Sequence, residues 1–343
     1  HKLQIGTEMY VDLQRSDYYL LYLFLPYKTD WEFGLYHFAY TEPYWFNNPK
    51  LFQKIGTSIG ASYPISRFTR FDADLEVDHY TKSRFYREYD QYDRLVVDEI
   101  ININSATAII PSIKYIWDNA IWSYTHPIKG SRYYVKYQNS LDMVNSSIKL
   151  HSLTLDARKY FHIFNGVSFA TRLFAGRTWG KNVQKFRLGG LPCIFPMNEC
   201  QFDNINNENQ NLEEIYFSKY AMPIRGMQRA SRLGENVLLQ NIEFRLPFLI
   251  YYFPTIKYIG QINGVIFIDI GVAWNDKYPS IWGESNWDEP DWDEPNQEKV
   301  DYTGWVMSYG FGPRFIFLCF PLKLDFAWNY NPYSGIISES QWH

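Results

Sequence analysis

The stretch that decides the fold is GVIFIDIGVAW, residues 264–274. Its large apolar side chains recur at every second position, and the positions between them include a carboxylate, Asp269. Successive side chains of a β-strand point to opposite faces, so this period predicts a strand with one apolar face and one charged face. The apolar face is made by Ile266, Ile268, Ile270, Val272 and Trp274.

Two further stretches repeat the pattern on either side of this strand. NIEFRLPF, residues 241–248, carries Glu243 and Arg245 on one parity, and PLKLDFAW, residues 321–328, carries Lys323 and Asp325 on one parity. A Lys or Arg on the lipid face near the membrane midplane costs roughly 2–4 kcal/mol. If these strands cross a membrane, the charged parity must therefore face inward.

The composition favours a membrane barrel but leaves a soluble β-sandwich open. Aromatic residues make up 19% of 343 residues, yet the mean hydropathy is −0.35 and 20% of the residues are charged. A transmembrane barrel explains this mixture, because one side of each strand meets lipid, the other meets a polar lumen, and aromatic girdles lie at both interfaces. No run of 18 apolar residues exists, so we expect no transmembrane helix.

The chain contains about fourteen candidate strands, and many are ten or more residues long, as tilted membrane strands are. Short connections alternate with long ones, and the long ones are 84–103, 179–233 and 275–303, of which 84–103 could hide another hairpin. We therefore predict an all-β fold, a transmembrane antiparallel up-and-down β-barrel. The candidate strands are 3–14, 17–27, 30–43, 51–63, 67–83, 104–118, 130–140, 146–163, 166–178, 234–248, 258–274, 304–318, 321–330 and 335–343.

Several classes of function lack support in the sequence. The net charge of −4 argues against nucleic-acid binding. The His residues are scattered and the acidic loop 284–301 lacks calcium-loop spacing, so we expect neither a metal site nor a cofactor. Cys193 and Cys200 are close enough in sequence to form a disulfide bond, but two free thiols fit the sequence equally well. With Cys319 as the third cysteine, the chain has no disulfide framework.

One short motif matches a hydrolase signature. Residues 56–60, Gly-Thr-Ser-Ile-Gly, fit the G-x-S-x-G nucleophile elbow, which requires Ser58 on a sharp strand-to-helix turn. The match lies within an alternating segment with no helical pattern after it. We interpret it as part of a strand and predict that the chain is not an enzyme.

The candidate site is the tetrapeptide Ile224-Arg225-Gly226-Met227 in the long connection. A connection of that length is usually functional or disordered. If it folds into the lumen, Arg225 meets Glu243 and Asp269 on the inward faces of the next two strands, and a guanidinium can grip carboxylates bidentately. An exposed Arg225 on an outer loop is the alternative, and spacing alone does not separate the two.

An ordered set of motifs adds a family resemblance. FRLGG (186–190, with Gly189 and Gly190), MPIRGM (222–227), NIEFRLPF and GVIFIDIGVAW resemble, in this order, the C-terminal half of the Omp85 superfamily of D15-type outer-membrane barrels. PSIKYIWDNAIWSYTHPIKGSRYYV (111–135) resembles the family's D…P-x-x-G-S-R turn between two strands. The resemblance covers about 111–330, and residues 1–110 match only as generic barrel strands.

The resemblance implies a sixteen-stranded barrel in the bacterial outer membrane, with the long loop folded inside and Arg225 in contact with Glu243 and Asp269. It implies insertion of outer-membrane proteins or protein translocation. The implied partners are outer-membrane lipid and lipopolysaccharide, accessory lipoproteins, client outer-membrane proteins and an upstream periplasmic domain. The chain departs from the family pattern at Met227, where an aromatic residue is usual, and in an Asn-rich insertion at 198–215.

We expect residues 1–343 to be one barrel domain, and the absence of an initiator methionine predicts a mature fragment or excised domain whose periplasmic part is not in this chain. Two other functions remain open. One is a passive pore, or an anchor for an upstream enzyme such as a patatin-like lipase. The other is a soluble all-β protein with an aromatic carbohydrate-binding surface.

Overall fold

Alternating sequence patterns become long antiparallel strands in the computed structural model of this chain. The structure describes residues 2–8, 15–41, 50–89, 95–122, 126–141, 149–164, 167–181, 185–189, 219–222, 224–227, 232–246, 263–276, 304–317, 320–330 and 341–342. Within these ranges no helix is long and apolar enough to span a membrane.

The described residues contain nineteen strands. They are β1 (Lys2–Glu8), β2 (Asp17–Phe24), β3 (Asp30–Thr41), β4 (Lys50–Pro64), β5 (Thr69–Tyr89), β6 (Leu95–Asp118), β7 (Ile121–Trp122), β8 (Pro127–Asn139), β9 (Leu150–Phe164), β10 (Val167–Gly180), β11 (Phe186–Leu188), β12 (Lys219–Met222), β13 (Arg232–Gly234), β14 (Asn236–Leu246), β15 (Asn263–Trp274), β16 (Gly304–Phe317), β17 (Phe320–Lys323), β18 (Phe326–Tyr330) and β19 (Gln341–Trp342).

The main sheet runs in chain order with antiparallel neighbours throughout. Its path is β1-β2-β3-β4-β5-β6-β8-β9-β10-β14-β15-β16-β18-β19, with β7 paired to β8 and β17 paired to β16. β17 and β18 share one register against β16, because Lys323 pairs Arg314 and Phe326 pairs Phe311. They are therefore one strand, interrupted at residues 324–325. The fourteen strands of the path confirm the predicted up-and-down fold, whereas the resemblance implies sixteen.

The two faces of the strands differ in burial as the period of two requires. Along β15, the outward Ile266 is 53% exposed, whereas its inward neighbour Phe267 is 1% exposed and Asp269 is 0% exposed. Along β9, Leu153 and Phe161 are exposed and Asp156 is buried. Large apolar side chains thus cover the outer surface, and charged side chains are collected within the barrel, which is the arrangement that lipid imposes.

The connections alternate in length around the sheet. On one side the connections at residues 25–29, 65–68 and 165–166 are short, although 247–262 on that side is longer. On the other side β10 and β14 are joined by 181–235. The long connection predicted at 84–103 is wrong. β5 and β6 continue to pair as far as Tyr89 and Leu95, because β-branched residues fill most of 95–103 and favour the extended chain.

The G-x-S-x-G match lies in the middle of β4. Ser58 pairs with Gly34 of β3 and with Glu76 of β5, so both neighbours continue the ladder past it. The residue is on no strand-to-helix turn, and the geometry of a nucleophile elbow is absent there.

Part of the long connection 181–235 folds against the inward faces of β10, β14 and β15. β11 is the centre of a small sheet, parallel to β12 and antiparallel to β13. Glycines on the barrel wall make room for it, since a Cβ at Gly176 would come within 2.4 Å of the Phe186 ring. The resulting apolar cluster consists of Phe174, Phe186, Leu188, Ile224, Val237, Leu239 and Val306, with Met227 packed beside it.

Candidate functional site

The tetrapeptide 224–227 lies on the inward face of β15. Ile224 is fully buried, and its Cδ1, like Leu188 Cδ2, would lie within 2.7 Å of a Cβ added at Gly271. A larger residue than glycine at 271 would displace both side chains. The strand is therefore shaped to let the loop approach its backbone, and this contact sets the position of Arg225.

Arg225 binds Asp269 through two of the three nitrogens of its guanidinium group. Its Nε lies 2.7 Å from Asp269 Oδ2 and its Nη2 lies 2.7 Å from Asp269 Oδ1, and the backbone N–H of Arg225 also donates to Oδ2 at 3.3 Å. Asn241 on the neighbouring strand donates to Oδ1 at 2.8 Å. Asp269 is 0% exposed, and these donors replace the water that the carboxylate loses on burial.

The third guanidinium nitrogen of Arg225 extends the network to β14. Its Nη1 donates to Glu243 Oε1 at 2.8 Å, while Arg245 donates through Nε and Nη2 to Glu243 Oε2 at 2.9 and 2.6 Å. Arg245 also donates to the backbone oxygen of Pro127 at 2.9 Å, which ties β14 to the start of β8. The structure thus brings Arg225 together with both carboxylates named from the sequence.

An aromatic ring completes the Arg225 environment. The guanidinium carbon lies 3.6 Å from the centroid of Phe267, a cation–π contact between two buried side chains. Burial by itself lowers the pKa of Arg225, but the hydrogen bonds and charges of Asp269 and Glu243 raise the pKa above its ordinary value. Arg225 therefore remains a cation and acts as a permanent electrostatic clamp on the loop.

Gly226 fits its position for two separate reasons. Its φ is +75°, a left-handed backbone that residues with a Cβ rarely adopt, and a Cβ there would lie 2.6 Å from the Cβ of Ala327 on β18. Its carbonyl oxygen accepts a hydrogen bond from Asn329 Nδ2. Through this residue the loop contacts β18 as well as β14 and β15.

Of the other residues singled out in the sequence, only some lie within the described part of the chain. Met227 packs against the apolar cluster beside Ile224, where the resemblance leads one to expect an aromatic ring. Gly189 is buried with φ of +116°, directly after β11, and Gly190 lies outside the described residues. Cys193, Cys200 and Cys319 also lie outside them.

A second buried carboxylate lies along the inner wall from the clamp. Asp156 on β9 is 2% exposed. It accepts hydrogen bonds from Nε and Nη2 of Arg158 at 2.8 and 2.9 Å, and from Nε and Nη2 of Arg172 at 3.0 and 2.5 Å. Arg172 pairs across the ladder with Asn241, which itself contacts Asp269. The two networks therefore occupy adjacent positions on one wall.

Sequence reasoning missed the supporting residues of the clamp. Asn241, Phe267 and Arg245 share the inward parity with Glu243 and Asp269, so the period of two contained the signal for them. Asn329 had no such signal, because its contact is with a loop carbonyl more than a hundred residues earlier. Within the described ranges, no three His, Cys, Asp or Glu side chains are grouped to bind a metal.

A family model described as the Omp85 superfamily domain matches residues 24–343. BamA from Haemophilus ducreyi lacking POTRA domains 1-3 has a similar structure, with TM-score 0.59 and 14% identity over 95% of this chain and 61% of that chain. CdiB from Acinetobacter baumannii has TM-score 0.52 and 12% identity over 97% of this chain and 50% of that chain.

The chain thus spans 61% and 50% of the lengths of these two proteins, and at such identities the likeness concerns the fold. A comparison with curated proteins found no match.

Proposed function

The chain belongs to the Omp85 superfamily, an outer-membrane β-barrel family of Gram-negative bacteria, and from this premise we propose that it inserts other proteins into the outer membrane or translocates them. Residues 1–343 form the barrel domain of this machine, and a periplasmic domain upstream delivers the client. Its partners are unfolded outer-membrane proteins, accessory lipoproteins and the surrounding lipid and lipopolysaccharide.

The observation that carries this proposal is the clamp between the inner loop and the barrel wall. Arg225 joins the loop to Asp269 and Glu243, and Gly226 joins it to β18. A machine that changes shape gains a latch that favours one state of the wall.

The chemistry of the proposed activity requires no covalent step. A strand edge with unpaired N–H and C=O groups is a template on which another chain can add a strand. Within the described part of the chain, β1 and β19 are the two ends of the hydrogen-bonded order. A seam between the first and last strands that opens would offer such an edge to a client strand.

The test is the folding of a client protein in proteoliposomes. The full-length protein is reconstituted, a small outer-membrane protein is added from urea, and the heat-modifiable folded fraction of the client is followed over time. We expect folding faster than in empty liposomes, and slower in the Arg225→Ala variant than in the wild-type protein. The Arg177→Ala variant, which removes an exposed pair with Asp276, is the matched control.

Equal client folding with and without the protein would contradict an insertase. A passive pore, or a barrel that anchors an upstream enzyme such as a patatin-like lipase, predicts that result. Sequencing the gene upstream of His1 separates these alternatives, because POTRA repeats accompany assembly or secretion and a hydrolase domain accompanies an anchor.

A further inference from the structure

A cavity of about 280 Å³ lies within the barrel below the clamp, at the end of the sheet with short connections. His126, just before β8, and Val265, near the start of β15, mark that end. Short turns face the periplasm in barrels of this kind. The cavity therefore lies on the periplasmic side of the inner loop.

The cavity wall is rich in cations. Six permanently charged groups line it, against two carboxylates, Glu243 and Asp325. Two more carboxylates, Asp156 and Asp269, lie behind the wall as ion-pair partners of the lining arginines. Among the residues that the structure describes, six cations against four carboxylates leave an excess of two positive charges. The cations are Arg158, Arg172, Arg225, Arg245, Arg314 and Lys323.

Lys323 is the cation most available for a ligand. Arg314 donates to Asp325 at 2.5 Å and to the carbonyl oxygen of Leu324 at 3.0 Å, so its arms are occupied. Lys323 lines the same cavity and is exposed, and no carboxylate of the described ranges forms an ion pair with it. Its ammonium group can reach a bound anion without breaking an existing pair.

The titration of His126 is consistent with a positive potential in the cavity. Burial first, and then the charges of Arg245, Lys323 and Arg314, lower its pKa to about 4, although Glu243 opposes the shift. A positive field disfavours a second proton on the imidazole and favours an anion near it.

We propose that this cavity binds a phosphate group from the periplasmic side, with Lys323 as a direct ligand. A phosphate group carries about −1.5 to −2 charges at neutral pH, which matches the excess of two positive charges in the wall. Guanidinium forks and an ammonium group are the side chains that hold phosphate oxygens in proteins. A bound phosphate would link β9, β10, β14 and β17 beneath the inner loop.

The experiment titrates inorganic phosphate into the full-length protein in nonionic detergent by calorimetry, at low ionic strength, against chloride of matched ionic strength. We expect saturable phosphate binding that chloride does not reproduce. Lys323→Gln should weaken it about tenfold, the loss expected for one charge-assisted hydrogen bond. Lys323→Glu should abolish it, and both variants should keep the heat-modifiable migration of a folded barrel.

Lys28→Gln is the matched control. It removes a lysine from the same side of the barrel, where Lys28 Nζ donates to Tyr63 Oη at 2.8 Å outside the cavity, and it should leave phosphate binding unchanged. A second titration with glycerol 3-phosphate distinguishes the source, since tighter binding than free phosphate identifies a lipid headgroup and equal or weaker binding identifies free phosphate. Absence of saturable binding, or equal losses in Lys28→Gln and Lys323→Gln, would overturn the site.

Discussion

Asp269 is the residue on which the inner site depends most. It is fully buried, and three donors of Arg225 and one of Asn241 converge on its two oxygens. A carboxylate removed from water is tolerated when such donors replace its hydration. Removal of only one partner of this ion pair therefore destabilises the protein by more than the intact pair contributes to the free energy of folding.

Arg225→Ala should lower the free energy of unfolding by about 3–5 kcal/mol, because it leaves Asp269 buried without its cation. Arg225→Lys keeps the charge but not the fork, and we expect an intermediate loss. Urea unfolding in lipid vesicles measures the change. Unchanged heat-modifiability on gels, together with unchanged expression in the membrane, would contradict the role of the clamp.

Gly226→Ala should destabilise the barrel more than Gly304→Ala. Both glycines have a positive φ, +75° and +121°, but only Gly226 faces a neighbour, whereas a Cβ at Gly304 meets nothing within 4 Å. Backbone strain costs about 1–3 kcal/mol in each variant, and overpacking against Ala327 adds about 1–3 kcal/mol in Gly226→Ala. Equal shifts in the urea midpoint would show that the contact with Ala327 contributes nothing.

His126 should make stability depend on pH between about 6.5 and 4. Its pKa is about 4 in the folded protein against 6.5 for the ordinary group, so the unfolded chain binds the proton first as the pH falls. The folded state should lose about 1–2 kcal/mol over this window, after allowance for partial exposure. The measurement compares urea midpoints of wild type and His126→Gln, and equal slopes against pH would refute it.

At the scale of single residues, the sequence predicts which residues belong to the site better than it predicts which of them are in contact. Glu243 and Asp269 could be named because the period of two places them on inward faces of strands that follow the loop. The contact between Gly226 and β18 could not, because it depends on how a loop of about fifty residues folds back. No period in the sequence encodes that path.

Individual strands show the requirement for lipid contact most directly. Ile59 on β4 points outward and is 45% exposed, while its neighbour Ser58 points inward and lies opposite Glu76 on β5. One residue of register therefore separates lipid from lumen. A lysine introduced at position 58 could therefore pair with Glu76, whereas a lysine introduced at position 59 would face lipid.

Ile59→Lys should cost about 2–4 kcal/mol in lipid, because it places a charge near the middle of a membrane strand. Ser58→Lys is the matched control and should cost much less, since its ammonium group can pair with Glu76. Folding yields of the two variants in lipid vesicles measure the difference. Equal yields would contradict the assignment of the two faces.

Strand number was predictable at the element scale, and strand length was not. All fourteen predicted segments correspond to strands of the main sheet. β5 and β6 exceed their predicted bounds, since the predicted strands end at residue 83 and begin at residue 104. Cross-strand pairing continues beyond that point, as far as Tyr89 and Leu95, and only a partner strand reveals it.

For the whole molecule, the inner loop should limit passage through the lumen. Arg225→Ala should raise the single-channel conductance in planar bilayers severalfold over wild type, because the loop loses its attachment to Asp269 and Glu243. Arg177→Ala, an exposed pair at 61% and 44% side-chain exposure, should leave conductance unchanged. Equal conductance in all three proteins would show that the loop remains in place without the clamp.

The arrangement of the whole was predictable because lipid imposes a simple rule on every strand. Apolar outward faces, charged inward faces and connections of alternating length together indicate a barrel. The interior followed no such rule. The basic cavity around Arg314 and Lys323 arises from strands far apart in the chain, and its excess charge emerges only when their inward faces meet.

The hairpin of β5 and β6 reaches far beyond the membrane. The strands have 21 and 24 residues, whereas about 9–11 suffice to cross the hydrocarbon core. At about 3.4 Å per residue, the ten or so surplus residues of β5 extend roughly 30 Å from the lipid. The outer ends of these two strands are thus within reach of an antibody or a protease approaching the living cell, and an epitope placed there reports the protein's orientation without breaking the membrane.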